Sequence, residues 1–294
     1  MNNSTHLDSI QKEAERFLRE DPGNLMGSLV REENKEENSD DELIWATPLL
    51  GVARGDDPIF LEFRDRVDAR HWTPAEAFAA GGYDPAPAEE LSVVSWILPH
   101  TPVTKRDNAR QREWPSERWA RSRIFGEAEN NRLRDHMVEF LKASGHGVVA
   151  PMRLKGWTQM PSDRYVFVSN WSERHIAHAC GLGTFGLCDG LITPVGKAVR
   201  IGSVVLRARL DPTPRPYTRY DEYCPFKTRG KCGACIKRCP AGALSERGHD
   251  KRLCSAYLDD ATAPYVAENF KFTGYGCGLC QTSVPCTSGI PKIQ

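Results

Sequence analysis

The arrangement of cysteines restricts this chain more than any other feature. Eight of its ten cysteines fall between positions 224 and 286, and their spacing repeats. Each copy is an outlying cysteine, a C-x-x-C pair, then one more cysteine. The first copy is Cys224, Cys232-Gly-Ala-Cys235 and Cys239-Pro240; the second is Cys254, Cys277-Gly-Leu-Cys280 and Cys286. Eight thiolates so spaced suit two 4Fe-4S clusters.

The run Cys232 to Pro240 reads C-x-x-C-x-x-x-C-P, the core of the bacterial ferredoxin signature, in which the cysteine before proline reaches across to the other cluster. That crossing rule gives Cys224, Cys232, Cys235 and Cys286 to a first cluster and Cys254, Cys277, Cys280 and Cys239 to a second. Neither half is the standard run, since the first cysteine lies upstream in both and Cys286 falls two residues late. The spacing therefore specifies the ligand set more firmly than the pairing. Zinc and disulfides are the competing uses. Zinc ribbons place two C-x-x-C pairs about 15–20 residues apart, and here the pairs lie much farther apart with four cysteines left over. Disulfides need an oxidising compartment, which nothing in the polar opening residues suggests.

With 294 residues the chain has room for one large domain or two ordinary ones. Lys plus Arg and Asp plus Glu both number 39, so overall charge favours no polyanionic or polycationic partner. No apolar run is long enough to span a bilayer. The N-terminus shows neither a signal-peptide core nor twin arginines, so the expected location is the cytoplasm, with no membrane partner.

Along the chain, Leu7, Ile10, Ala14, Phe17 and Leu18 fall at helical spacing and Asp21-Pro22-Gly23 ends the pattern. Residues 31–42 are almost all charged or amide side chains, which predicts a mobile linker. A first region, 1–42, is thus a helix and an acidic linker. From Leu43 the composition turns globular. Thr73-Pro74-Ala75-Glu76 combines an N-cap, a proline at the first helical position and a reach-back Glu, so a helix is expected there. Residues 91–98 read as a buried strand, and Leu133, Met137, Val138 and Leu141 as the apolar face of a helix, followed by a strand over 148–152. Between Lys105 and Arg123 lie seven basic residues with Trp114 and Trp119 among them. Such a mix can hold phosphates or stack on bases, but the interspersed Asp107, Glu113 and Glu117 favour a solvated, partly helical face.

A further helix is expected from Ser169 or Asn170, burying Ile176, Ala177 and Cys180. It runs into Gly181-Leu-Gly183-Thr-Phe-Gly186, a literal G-x-G-x-x-G. A dinucleotide fingerprint needs a strand before it and a helix after it; here the order is reversed, and the glycines signify close backbone approach, to another element or to a flat cofactor. Cys180 and Cys188, outside the cluster pattern, read as small buried residues. Residues 200–210 read as a strand, and the proline-rich stretch 211–216 as a stiff hinge between an α/β domain over 43–210 and a double-cluster domain over 219–294.

Ser172-Glu173-Arg174-His175, the glycine loop, Leu191-Ile-Thr193-Pro194 and Gly202-Ser203-Val-Val together resemble the core of epoxyqueuosine reductases and cobalamin-dependent reductive dehalogenases. The segments around Cys254 and from Tyr275 to Gln281 resemble cluster-binding segments of the queuosine enzymes. The resemblance implies a nitroreductase-like α/β fold with a C-terminal ferredoxin-like domain. It also implies a corrinoid, cobalamin, fed single electrons by the clusters to give a cobalt(I) nucleophile, with an external donor of ferredoxin or flavodoxin type. Gly181, Gly183, Gly186, Thr193 and Ser203 are on this basis the candidate cobalamin-binding residues.

In the queuosine enzymes an Asp upstream of the Glu-Arg pair donates a proton; Phe167 stands in that register here, leaving Asp163 and Tyr165 as the catalytic candidates. The chain also stops soon after Cys286, where the queuosine enzymes continue into tRNA-contacting helical repeats, so a small-molecule or nucleoside-like substrate is expected rather than tRNA. Two other functions fit the same residues: a ferredoxin-type electron carrier with a docking domain, and a cobalamin-reducing or handling protein.

Overall fold

The computed structural model describes residues 7–27, 29–31 and 42–292. Of the linker expected over 31–42, residues 32–41 lie outside them. Strands β1 (Leu49–Arg54), β2 (Ser92–Pro99), β3 (Val148–Val149) and the later Val199–Leu206 make a sheet whose pairings are all antiparallel. Between β3 and that last strand come two short hairpins. β4 (Gln159–Ser162) and β5 (Val166–Ser169) form a hairpin, as do β6 (Thr184–Phe185) and β7 (Leu191–Ile192). Val199–Leu206 is then β8, and the sheet order is β1-β2-β8-β3. A third hairpin, β9 (Leu244–Ser245) with β10 (Gly248–His249), belongs to the cysteine region.

Helices cover both faces of the sheet. On one side pack α1 (Leu7–Glu20) and the 27-residue α5 (Glu117–Ala143), which follows α2 (Ile59–Arg66), α3 (Pro74–Ala80) and α4 (Pro102–Arg110). On the other side lie α2, α3 and α6 (Glu173–Ala179). Every residue of β2 is consequently buried. Val94, Trp96 and Leu98 join the core beneath α1 and α5, whereas Val93 and Ile97 join the core beneath α2, α3 and α6. A strand covered on both faces has no polar side to present, which is why 91–98 is apolar except for Ser92 and Ser95, whose buried hydroxyls donate to Ala208 O and Gly202 O. Elements alternate along the chain in α/β fashion, although the sheet itself is antiparallel.

The N-terminal helix is part of this core. Ile10, Ala14 and Leu18 are buried in it and Phe17 stacks on His136 at 4.5 Å. The capping box at α3 forms as the sequence indicates: Thr73 Oγ1 accepts from Glu76 N at 3.3 Å and Thr73 N donates to Glu76 Oε2 at 2.8 Å. Elsewhere the boundaries move. β3 stops at Val149 because Pro151, which has no N–H, opens a short turn over Pro151–Arg153. α6 begins at Glu173, not at 169 or 170, because Asn170 spends its side chain across the loop, accepting from Thr158 N at 3.0 Å and donating to Gly156 O at 2.8 Å.

The basic stretch 105–123 is a solvated, partly helical face only in its first half, where Arg106, Arg110 and Arg112 are exposed; the second half turns inward. Arg118 is 2% exposed and bonds to Glu42 and Asp107, and Arg121 is 8% exposed and bonds to Glu117. Trp119 stacks on buried His100 at 4.3 Å, and Trp114 on Tyr265 at 4.7 Å. Glu42, 76 residues away, and Asp107 draw Arg118 inward, a pairing that local composition does not encode.

The proline-rich strap over 211–216 is pinned along the edge of β1. Thr213 N donates to Val52 O at 2.9 Å, Val52 N donates to Thr213 Oγ1 at 3.0 Å, and Arg215 pairs with Asp57 at 2.8 Å. The cysteine region follows it with α7 (Pro225–Arg229), α8 (Ala234–Lys237), α9 (Lys251–Tyr257) and α10 (Ala263–Phe270).

Candidate functional site: a cavity beside the cysteine region

The glycine loop after α6 makes the site possible by letting three segments meet. Gly181 has φ +80°, and a Cβ there would lie 2.8 Å from Pro214 O in the strap. A Cβ on Gly183 would lie 2.2 Å from Ile192 O, so the β6–β7 hairpin closes only over a glycine. These two glycines approach other elements of the chain, and Gly186 alone of the three borders open space.

That space is a cavity of about 1000 Å³, at the upper end of the range for small-molecule and cofactor sites. It lies among α2, the β4–β5 hairpin, α6, the glycine loop and residues 215–221. Phe63, Tyr165, Phe167, His175, Phe185 and Tyr217 supply aromatic walls, and Arg66, Arg164, Arg174, Arg215, Lys227 and Lys251 supply cations. Asp57, Glu62, Asp189 and Asp221 add carboxylates.

Burial keeps the histidines around this cavity neutral. His71 Nδ1 donates to Trp72 O at 3.0 Å and its Nε2 accepts from Ser172 N at 3.2 Å, while burial pushes its imidazole down to about 4. His175, 2.8 Å from Ser172 Oγ, is held well below the ordinary range by burial, and His178, bonded to Gly183 O at 2.8 Å, is lowered for the same reason. Lys251 donates to Phe167 O at 3.3 Å, and its ammonium stands 5.4 Å from the Tyr165 ring centre; burial lowers its basicity.

The expected site residues divide. Tyr165 borders the cavity, its hydroxyl donating to Arg66 O at 2.9 Å; Asp163 sits exposed in the turn between β4 and β5, away from the lining. Thr193 is fully buried and donates to Gly196 O at 2.6 Å, holding its own turn. Ser203 is also buried: its hydroxyl donates to Glu173 Oε2 at 2.6 Å and accepts from Trp171 Nε1 at 3.0 Å. Glu173 in turn meets Arg134 at 3.2 Å. Ser203 thus braces the start of α6 from below. The signals that sequence reading lacked belong to Arg174, His175 and Lys251, whose common wall is assembled from segments about 80 residues apart.

Behind the same loop lies the cysteine region, and its sequence repeat is a structural repeat. Gly233 and Gly278, each following the first cysteine of a pair, have φ +67° and +63° and open a short helical turn that carries the second cysteine. The turns are held together by Arg238, whose Nε donates to Leu279 O and Thr282 O at 3.2 Å, Nη1 to Gln111 O at 2.6 Å and Nη2 to Asn108 O at 3.2 Å. Asn108 Nδ2 donates to Cys277 O at 3.2 Å.

Cys188, Cys224, Cys235, Cys239, Cys280 and Cys286 share one apolar patch with Leu187, Ile192 and Val284. Cys277 has Cys254 and Cys239 for neighbours, and Cys286 has Cys188 and Cys224. Cys232 is exposed. Among the described residues no three His, Cys, Asp or Glu side chains converge as ligands of a single ion would. Both cysteines outside the pattern are buried as expected: Cys180 donates weakly to Val93 O at 3.5 Å, and burial pushes its thiol up. Residues 186–189 form a wall one loop thick: Gly186 and Asp189 face the cavity, Leu187 and Cys188 the thiols.

Similar curated proteins are named epoxyqueuosine reductase. That of Staphylococcus aureus (strain NCTC 8325 / PS 47) is 27% identical over 129 residues, covering 42% of this chain and 31% of its own. That of Aliivibrio fischeri (strain ATCC 700601 / ES114) is 33% identical over 119 residues, 38% of this chain and 30% of its own. That of Francisella cf. novicida (strain Fx1) is 32% identical over 126 residues, 40% and 33%. The chain therefore matches about a third of the length of each. No protein-family profile matches it. Among solved structures, a selenomethionine-labelled epoxyqueuosine reductase superposes with a TM-score of 0.46 at 17% identity, covering 83% of this chain and 63% of that one. Another, with an epoxyqueuosine-modified tRNA-Tyr stem loop, gives 0.45 at 19% identity with the same coverage. Over about 40% of its length the chain is thus similar in sequence to epoxyqueuosine reductases.

Proposed function

We propose that the protein reduces a nucleoside-like epoxide, using two 4Fe-4S clusters held by the eight patterned cysteines and a corrinoid held in the cavity. The observation that carries this reading is the thin wall of residues 186–189, which has thiols on one side and a large aromatic and cationic cavity on the other. Reducing an epoxide to an alkene consumes two electrons and two protons and releases water, so one-electron carriers must act twice. Soft thiols gathered in apolar surroundings suit iron–sulfur clusters. The neighbourhoods of Cys286 with Cys224, and of Cys277 with Cys254 and Cys239, run in the order the crossing rule requires.

The cavity fits a corrinoid by size and by its mixture of flat aromatic walls with cations able to meet amides and a phosphate. Bound there, a corrinoid supplies a nucleophilic metal centre, and the protein supplies position, charge and a proton. His71, His175 and His178, kept neutral, add no cation. Tyr165 is the proton source in this reading, beside the Lys251 ammonium, while Asp163 stands too far into solvent to serve. An external low-potential donor refills the clusters, and the nucleoside is presented free or within a tRNA loop.

The test is electron paramagnetic resonance on protein purified without oxygen and reconstituted with iron and sulfide, before and after adding cobalamin. Two reduced cluster signals and a cobalamin signal altered by binding are expected. Clusters with cobalamin left free in solution would remove the corrinoid from the proposal and leave an electron carrier. Tyr165→Phe should retain both cofactors and lose about 100-fold or more in epoxide turnover, the usual contribution of a general acid. Undiminished turnover in that variant assigns the proton elsewhere.

A further inference from the structure

Of the ten cysteines, all among the described residues, Cys232 alone is exposed. It stands in the most basic stretch of the cysteine region: residues 223–245 hold five Lys and Arg and no Asp or Glu. Four of the five, Lys227, Arg229, Lys231 and Lys237, are exposed. The fold gathers them on one knuckle. Gly230 N donates to Phe226 O at 2.9 Å and Lys231 N to Pro225 O at 3.2 Å, which turns the chain back on α7. A Cβ at Gly233 would lie 3.9 Å from the Phe226 ring, so α7 and the turn into α8 are in contact, with Cys232 between them. On the N-terminal side the nearest carboxylates are engaged: Asp221 pairs with Arg219 at 2.9 Å, and Glu222 accepts from Thr218 N and Arg219 N at 2.8 and 3.2 Å. Around Cys254 the exposed charge is mixed, Arg252 with Asp250, Asp259 and Asp260.

We propose that the basic face around Cys232 is the docking surface for an acidic one-electron carrier protein. The proposal rests on the two-cluster reading above and names where the external donor binds. Opposite charge on two facing patches speeds encounter and orients the partners before contact, and salt screens the effect. The exposed Cys232, an expected ligand of the first cluster, lets the carrier's redox centre approach with little protein between. Each encounter oxidises the reduced carrier by one electron and reduces the first cluster by one, so two encounters supply the electron pair that one epoxide consumes. The face suits a protein better than a nucleic acid. Single-stranded RNA binds where cations accompany open aromatic rings, whereas the two aromatics of this stretch, Tyr223 and Phe226, are half-buried and Phe226 lies against the Gly233 turn.

The experiment is stopped-flow reduction of the reconstituted full chain by reduced flavodoxin, an acidic flavin carrier, with iron counted. Lys227 also borders the cavity and is left unchanged. Lys231→Glu combined with Lys237→Glu should keep the iron of the wild type and slow reduction by flavodoxin about tenfold or more at low salt. The deficit should largely vanish in roughly 0.5 M salt. Reduced methyl viologen, a small cation, should reduce this variant at least as fast as the wild type. Lys12→Glu combined with Lys142→Glu makes the same change in net charge on exposed positions of α1 and α5, and should leave the flavodoxin rate within about twofold. An unchanged flavodoxin rate in the Lys231/Lys237 variant overturns the inference, as does an equal loss in both double variants, which would assign the effect to net charge. Loss of tRNA stem-loop binding with the flavodoxin rate intact overturns it too, making this an RNA face. A wild type that takes up no iron overturns the two-cluster reading and the inference with it, whereas iron-loaded protein indifferent to these charges overturns the inference alone.

Discussion

Replacing Arg134 with Met is expected to destabilise the protein by about 3–5 kcal/mol at pH 8, the usual cost of leaving buried charge without its partner. Arg134 is 1% exposed. Its Nη1 donates to Glu127 at 3.0 Å and Asn131 at 2.8 Å, and its Nη2 to Glu173 at 3.2 Å and to Ile201 O at 2.9 Å. Methionine fills much of the space but supplies no donor, leaving Glu173 buried against Ser203 alone. The deficit should depend on pH in a definite direction. Burial already holds the Glu173 carboxyl above the ordinary range, against the opposing pull of Arg134. A carboxyl raised in the folded state contributes less stability as pH rises from its unfolded pKa through its folded one. Removing Arg134 raises it further, so the variant should lose most above neutrality and recover as acid protonates Glu173. Urea denaturation at pH 5 and pH 8 measures this. A deficit below 1 kcal/mol, or one identical at both pH values, contradicts the assignment. Adding Glu173→Gln to Arg134→Met should restore part of the loss, because a neutral pair of similar volume avoids the desolvation of both ions.

Arg238→Met should loosen the cysteine region while sparing the sheet. Four main-chain carbonyls, from Asn108, Gln111, Leu279 and Thr282, depend on this one guanidinium. Hydrogen bonds to a charged donor contribute roughly 1.5–3 kcal/mol each, and buried acceptors left unmade carry a desolvation penalty. Even with water reaching some of them, the expected loss is about 3 kcal/mol or more. Because the clasp joins α4 and the two cysteine turns, amide exchange should accelerate across 232–239 and 277–282 with little change in β2 or β8. Reconstituted protein should also release iron to a chelator faster than wild type. Uniform acceleration over the whole chain would show instead that Arg238 belongs to the global core, and unchanged exchange would show that the clasp is dispensable.

How much could be read without coordinates depends on the range of the interaction involved. The α3 cap was legible because Thr73, Pro74 and Glu76 act on one another within a single turn. β2 was legible because its two covered faces demand mostly apolar residues, with Ser92 and Ser95 the exceptions. The start of α6 was misjudged because Asn170, a competent cap, is used by residues 156–158 across a loop. The arginines of 105–123 pointed outward in any local reading, and the ion pairs with Glu42 and Asp107 hold Arg118 inward. Thr193 and Ser203 belong to segments that carry the family likeness, yet both side chains are consumed by internal bonds, to Gly196 O and to Glu173.

The sequence alone picks out the repeated cysteine pattern and the glycines at its turns, since cysteine spacing and left-handed backbone are properties of a few adjacent residues. It also determined which segments are apolar enough to be the core. Only the tertiary structure decided that one wall of the cavity is also one wall of the cysteine patch, and that Tyr165 and Lys251 meet. These are contacts between residues tens of positions apart, set by how the sheet, strap and hairpins pack, and no local pattern of hydrophobicity or charge records them.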